Sequence, residues 1–340
     1  MFLLLCILFM WLMIFGLCCF YFGALDKKLS SHIIFQFVYS ALITSLIWYI
    51  GGYGISFKDN LFWSFSPKEL SLEEILSFLF QLCFCLYAVQ MLIGSIIDRV
   101  QTKKLMLTVS LWILFVYCPL AYLIWNPHGF LYELGVKDFS GGMVVHLSAG
   151  LSSYLLAYYI GGTPHQHKEE RDEWTFIGMI FVTSGWFGFN AGPVGVLNQA
   201  AGQVLLNTLL AIISGAIAWT LADYLLYKRK SASKLLNGMV VGLVTSTSAV
   251  GYVNSYQMLI LTFLASLLTY LLSLFVARKW PDIDDVVDSF AMNGLGGCLG
   301  SLGTGLIFFK ELPVQLLAIC LTIFLSLTVT SLLGRVILRK

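Results

Sequence analysis

The sequence predicts an all-α polytopic membrane domain of eleven transmembrane helices. Three observations carry that reading. Of 340 residues, 59% are hydrophobic and only 11% charged, against about 25% charged in a soluble domain. Apolar stretches of about twenty residues recur eleven times, and about twenty residues is the length a helix needs to cross the hydrocarbon core. The basic residues gather in alternate connections. Helix is the spanning element because backbone groups in lipid must bond within their own segment. Barrel strands of about ten residues with alternating polarity do not describe these stretches.

The elements follow in order. The first stretch, 1–22, has neither a basic n-region nor an A-x-A site, and Lys27 and Lys28 follow it. It reads as a retained span, not a signal peptide. Stretches 32–56, 75–97 and 105–125 come next, and Pro127 and Gly129 mark the turn before 139–162. The loop HQHKEERDE, 165–173, is the most charged connection. Its His165 and His167 read as a solvated surface ahead of a metal site. Stretches 174–197, 200–227, 235–253, 256–277, 286–309 and 312–334 complete the chain, leaving little for a soluble domain. Residues 1–340 are therefore read as one membrane domain. Its parts are a first five-helix half (1–162), a second half (174–309), and an eleventh helix with a short cytoplasmic end (312–340). The eight cysteines, 6, 18, 19, 83, 85, 118, 298 and 320, all fall in spans without zinc spacing. They read as small buried apolar residues with no disulfide framework.

With the N-terminus outside, sixteen of the 20 basic residues lie on the cytoplasmic side, and Lys58, Lys68, Lys137 and Lys310 on the other. The positive-inside rule then orients the chain N-out, C-in. The net charge of +2 reflects these topology anchors and gives no reason to invoke nucleic acid.

Two apolar, glycine-rich stretches carry the same polar device. Asp138 is followed eight residues later by His146, and Asp285 eight residues later by Asn293. Polar residues at membrane depth are expensive and line a path or a buried site. The device sits in spans five and ten, so the halves run in opposite directions, an inverted repeat with its site at the midplane. At about 1.5 Å per residue, His146 lies about 12 Å below Asp138, and Asn293 about 12 Å above Asp285. In a core about 30 Å thick the two meet within roughly 6 Å of depth. A transporter or channel built from a duplicated unit fits this pattern. Asp138, at the first turn of its span, is suited to cap that helix.

Taken with these features, the segments WFGFNAG (186–192), DFSGGMVVHLSAG (138–150), CCFYFGALDKK (18–28), FQLCF (80–84), GLVTSTSAVGYV (242–253) and DSFAMNGLGGCLGSLGTG (288–305) occur in one order along the chain. In this the sequence resembles the ammonium transporter (Amt/Mep/Rh) family over essentially its whole length. The resemblance implies residue roles. Trp125 would stand at the outer mouth, where a cation rests on the ring by cation–π attraction. Phe84 and Phe189 would be the stacked pair that closes the pore, with Trp186 beside it. Asp138 would order the outer vestibule structurally. His146 would be the first of the family's twin histidines, which take a desolvated ammonium or its proton at the centre.

The chain departs from that pattern twice in the pore. Asn293 replaces the second histidine; it can hydrogen-bond but cannot titrate. Pro193 replaces the serine expected after WFGFNAG, and supplies neither hydroxyl nor N–H. The resemblance thus implies a channel or transporter for ammonium or ammonia, with an altered outer site and a central His–Asn pair. The alternative is an ammonium-binding sensor of the same fold with little transport. A homotrimer in the cell membrane, without enzymatic activity, cofactor or metal, goes with either reading. The tail after span eleven is short, which speaks against docking of a PII-type regulator.

Overall fold

In the computed structural model, residues 1–58, 60, 61, 63, 70–162 and 171–338 are described. Lys68, His165, His167, Lys168, Arg339 and Lys340 lie outside them. Among the described residues eleven helical rods can be followed. They are α1 (Phe2–Ala24), α2 (Lys27–Phe57), α3 (Leu72–Gly94), α4 (102–125), α5 (Gly142–Ile160), α6 (Asp172–Ala191), α7 (Gln199–Tyr227), α8 (Ala232–Ser246), α9 (Ser255–Lys279), α10 (290–307) and α11 (Leu312–Leu333). Eight stretches are long and apolar enough by themselves to cross a membrane. The remaining three rods are α6, α8 and α10. Two carboxylates, Asp172 and Glu173, open α6; α8 has only 15 residues; and glycine dilutes the apolarity of α10.

Helix starts follow side-chain chemistry. Ser71 and Glu74 form a reciprocal capping box ahead of α3, and Asn254 and Gln257 do the same for α9. Asn198 Oδ1 accepts from Ala201 N at 3.0 Å to start α7. The rods depart from α geometry in a repeated way. A π-turn interrupts α2 at Trp48–Gly52 and α4 at Ile113–Tyr117, opens α5 at Gly142–Leu147 and α10 at Phe290–Leu295, and follows α11 at Gly334–Leu338.

Polarity is arranged for a lipid surround. Leu8, Phe15, Leu42, Phe115, Ile217, Leu264 and Phe324 point outward, while Gln36, Gln90, Asn190, Asn207 and many serines and threonines are buried. In water this would be unstable; in hydrocarbon an outward leucine costs nothing and a polar group must turn inward to a partner. Many of these groups have one. Tyr21 Oη donates to the Gln90 carbonyl at 2.6 Å, Asn207 Nδ2 donates to the carbonyls of Val250 and Val253, and Thr44, Thr208 and Thr322 donate to carbonyls four residues back. All eight thiols are free, but only Cys6, Cys83, Cys85 and Cys118 are buried as expected; Cys18, Cys19 and Cys298 are half-buried, and Cys320 is exposed on the apolar flank of α11. A thiol is apolar enough to face lipid without a partner.

Glycine sets how closely the rods approach. A Cβ on Gly178 of α6 would lie 2.6 Å from the Gly16 carbonyl oxygen of α1. A Cβ on Gly150 of α5 would lie 2.2 Å from the backbone nitrogen of Gly294 in α10. That second crossing brings the two polar devices together.

Candidate functional site

Asp138 and Asp285 do the same local work. Asp138 Oδ2 accepts from the backbone N–H groups of Met143 and Val144 at 3.0 and 3.1 Å, and Oδ1 from Ser248 Oγ at 3.0 Å. Asp285 accepts from Ser289 N at 3.0 Å, Phe290 N at 2.7 Å and Ser95 Oγ at 2.6 Å. Each carboxylate satisfies the free N–H groups of a helix start, where the helix dipole favours negative charge. The capping role expected of Asp138 is what the geometry displays. Gly141, just before α5, has φ +101°, in the left-handed region that a side chain would disfavour.

Past each cap the chain enters a π-turn, and His146 and Asn293 lie inside those turns. The π-turn at α5 is explicit in the bond from His146 N to the Gly141 carbonyl, five residues back, at 3.0 Å. Widened turns of this kind recur at functional sites. His146 Nδ1 and Asn293 Oδ1 are 3.0 Å apart, and both residues are buried. The two adjoin, which the depth arithmetic allowed for neighbouring helices. Asn293 Nδ2 also donates to the Ser289 carbonyl at 3.2 Å. His146 Nε2 is buried with no hydrogen-bond partner.

A column of rings leads from this pair to the end of α4. The His146 ring lies parallel to Trp186, with centroids 5.3 Å apart and planes 7° apart. Phe189 stands 5.9 Å from His146 and 4.5 Å from Phe84. Phe84 stands 5.3 Å from Trp125. Trp125 Nε1 donates to the Asp138 carbonyl at 2.7 Å, which ties that ring to the capped end of α5. Phe84 and Phe189 are fully buried. Their planes meet at 69°, edge to face, and the stacked arrangement implied by the resemblance is corrected to that. The ring quadrupole, negative on the face and positive at the edge, favours this angle over a face-to-face sandwich. Pro193 lies apart from the column contacts, exposed on the 3₁₀ turn Gly192–Val194 that follows α6.

Sequence reasoning missed several members. Tyr87 touches His146, Trp186 and Phe189 at 6.0, 5.6 and 5.6 Å. It lies three residues after Phe84 on one helix face, so its spacing was a usable signal. Phe80, four residues before Phe84, meets it edge-on at 5.0 Å. Asn190 is buried and joins three elements: its Oδ1 accepts from Ser140 Oγ at 2.7 Å, and its Nδ2 donates to Thr208 Oγ1 at 3.0 Å. On the far side of Asn293, Phe290 stacks on Tyr154 at 4.5 Å, and both rings border a cavity of about 380 Å³ that Asp285 and Asp223 also line.

The arrangement offers an aromatic face, two buried apolar rings in contact, and a buried imidazole next to one of them. A small cation or its neutral base can be held by such groups without a fixed charge. Among the described residues no cluster of histidine, cysteine and carboxylate is placed to hold a metal.

Known proteins share this fold. A solved yeast structure, Saccharomyces cerevisiae Mep2, superposes with TM-score 0.86 at 25% identity, over 98% of this chain and 86% of that one. An ammonium transporter of Bacillus subtilis is 30% identical over 322 residues, 88% of this chain and 78% of its own. Ammonium transporter Amt1 of Archaeoglobus fulgidus is 29% identical over 350 residues, 96% of this chain and 88% of its own. The sequence model of the Ammonium Transporter Family matches residues 1–338. The aromatic column, the capped helices and this similarity from end to end agree, and the chain belongs to the ammonium transporter family.

Proposed function

We propose that the protein conducts ammonium or ammonia along the column from Trp125 through Phe84 and Phe189 to His146 and Asn293. The observation that carries this is the central pair: a buried imidazole bonded on one nitrogen, with its other nitrogen unpaired, beside the ring of Phe189, which in turn packs on Phe84. Trp125 supplies the outer cation–π surface, Pro193 leaves that site without a hydroxyl, and Phe84 with Phe189 makes the solute shed water. Trp186 and Tyr87 wall the centre. Asp138 is a positioning residue.

The same reading takes all eleven rods as spans, N-out and C-in, with residues 1–162 and 174–309 as inverted halves and 312–340 added. The repeated cap and π-turn at Asp138–His146 and Asp285–Asn293 support the repeat. Arg99 fits a cytoplasmic anchor, since its guanidinium donates to Asp98, to the Gly161 carbonyl and to the Asp284 carbonyl. The cavity beside Asp285 would then be the inner mouth. Three subunits in a cell membrane, each with its own pore, complete the proposal.

Uptake of ammonium by proteoliposomes tests it. Wild-type vesicles should exceed protein-free ones, and His146→Ala should remove the excess. Trp125→Ala should raise the half-saturating concentration roughly 2- to 30-fold, the range of a cation–π contact. Wild-type uptake equal to that of empty vesicles would refute conduction; retained binding in that case would assign the sensor instead.

A further inference from the structure

Asn293 is held at both ends of its carboxamide. Nδ2 donates to the Ser289 carbonyl at 3.2 Å, and Oδ1 lies 3.0 Å from His146 Nδ1. Turning the amide over would set two acceptors, its oxygen and the Ser289 carbonyl, against each other with no hydrogen between them. The backbone of α10 therefore chooses the orientation. An amide oxygen only accepts, so Nδ1 must carry the hydrogen. A neutral imidazole has one N–H, and Nε2 is left with a lone pair. That nitrogen is the buried one with no partner. Trp186, parallel to the same ring, has a buried Nε1–H that is also without a partner. The stacked pair thus carries one open acceptor and one open donor.

We propose that Asn293 locks His146 as its Nδ1–H tautomer, making the centre of the column a site for neutral ammonia that cannot relay protons. The inference rests on the proposed conduction and deepens it. Ammonia has N–H groups for Nε2 and a lone pair for a donor such as Trp186; ammonium has N–H groups and no lone pair. An ammonium ion could transfer a proton to Nε2. One N–H bond would break, its electron pair would stay on nitrogen as ammonia, and an imidazolium with two N–H groups would form. The Nδ1 proton has nowhere to go, because the amide oxygen of Asn293 does not titrate. The added proton leaves only by Nε2, where it entered. No proton passes along the pair.

Solid-state nitrogen NMR on histidine-labelled protein in lipid bilayers tests the lock, with His146→Gln used to assign the signal. The wild type should show the Nδ1–H form in about tenfold excess or more, the bias expected when the alternative leaves a buried group unpaired. In Asn293→Ala the excess should fall at least severalfold. A wild-type signal with hydrogen on Nε2, or an unchanged ratio in Asn293→Ala, overturns the lock. The wild-type spectrum decides even if the variant fails to fold. Recording current during an ammonium pulse tests the consequence. Wild-type vesicles should take up ammonia with no current above protein-free vesicles, and Asn293→His, which adds a second titrating ring, should gain current. A wild-type ammonium current would overturn the absence of a relay. Absent uptake together with an intact tautomer lock would count against conduction alone.

Discussion

At the residue scale, the column depends on how few side chains separate its two ends. Phe84 and Phe189 touch each other, and between them they touch Trp125 and His146. Removing one ring would let the other tilt into the space. Removing both should leave a gap that small solutes cross, at a stability cost of about 3–5 kcal/mol per buried ring. Phe84→Ala with Phe189→Ala is expected to speed osmotic water flow into proteoliposomes relative to wild type. Water permeability equal to wild type in a folded double variant would remove the gate assignment. Tyr87 and Phe80 show the limit of reading such a column from sequence. They share the face of Phe84 by spacing, yet only their ring contacts distinguish them from ordinary packing.

At the scale of the element, the decisive units are the starts of α5 and α10. A buried carboxylate, a π-turn and a polar side chain recur at each. The caps hold the turns, and the turns aim His146 and Asn293 at each other. Asp138 accepts three hydrogen bonds while buried, so Asp138→Ala should lower the unfolding free energy by about 2–3 kcal/mol. Asp138→Asn, which keeps an accepting oxygen, should lose less. Unfolding in detergent, followed by heat or denaturant, checks the order. Equal midpoints for wild type and Asp138→Ala would show that the cap is dispensable. Small residues matter at the same scale. The approach of Gly150 to Gly294 leaves no room for a Cβ, and without that crossing the His–Asn bond could not form.

At the scale of the whole molecule, outward leucine and phenylalanine and inward serine, threonine and amide groups suit lipid on the outside and a polar path within. The proposed pore residues all come from one chain, so a single subunit contains the whole ring column. Assembly is therefore expected to multiply pores instead of building one between subunits. Native mass measurement in detergent or lipid should give three times 38.0 kDa. Finding only monomers or dimers would count against the trimer.

Several features were settled by the sequence alone. Composition and the length of apolar stretches determine a helical membrane protein, because hydrocarbon demands internal backbone bonding over about twenty residues. Repeated spacing from Asp138 to His146 and from Asp285 to Asn293 placed two polar groups at similar depth, because helical rise converts residue number into depth; that they touch was decided by the crossing of α5 and α10. The cap by Asp138 was legible because it is a local interaction. Tertiary structure alone decided the π-turns, the edge-to-face angle of Phe84 and Phe189, the stacking of Trp186 on His146, and the direction of the Asn293 amide. The ring geometries depend on groups brought from distant parts of the chain, while the π-turns and the amide direction depend on backbone bonds that residue type does not specify. A one-dimensional pattern carries depth and polarity. It does not carry the angle between rings, or which end of an amide faces a carbonyl.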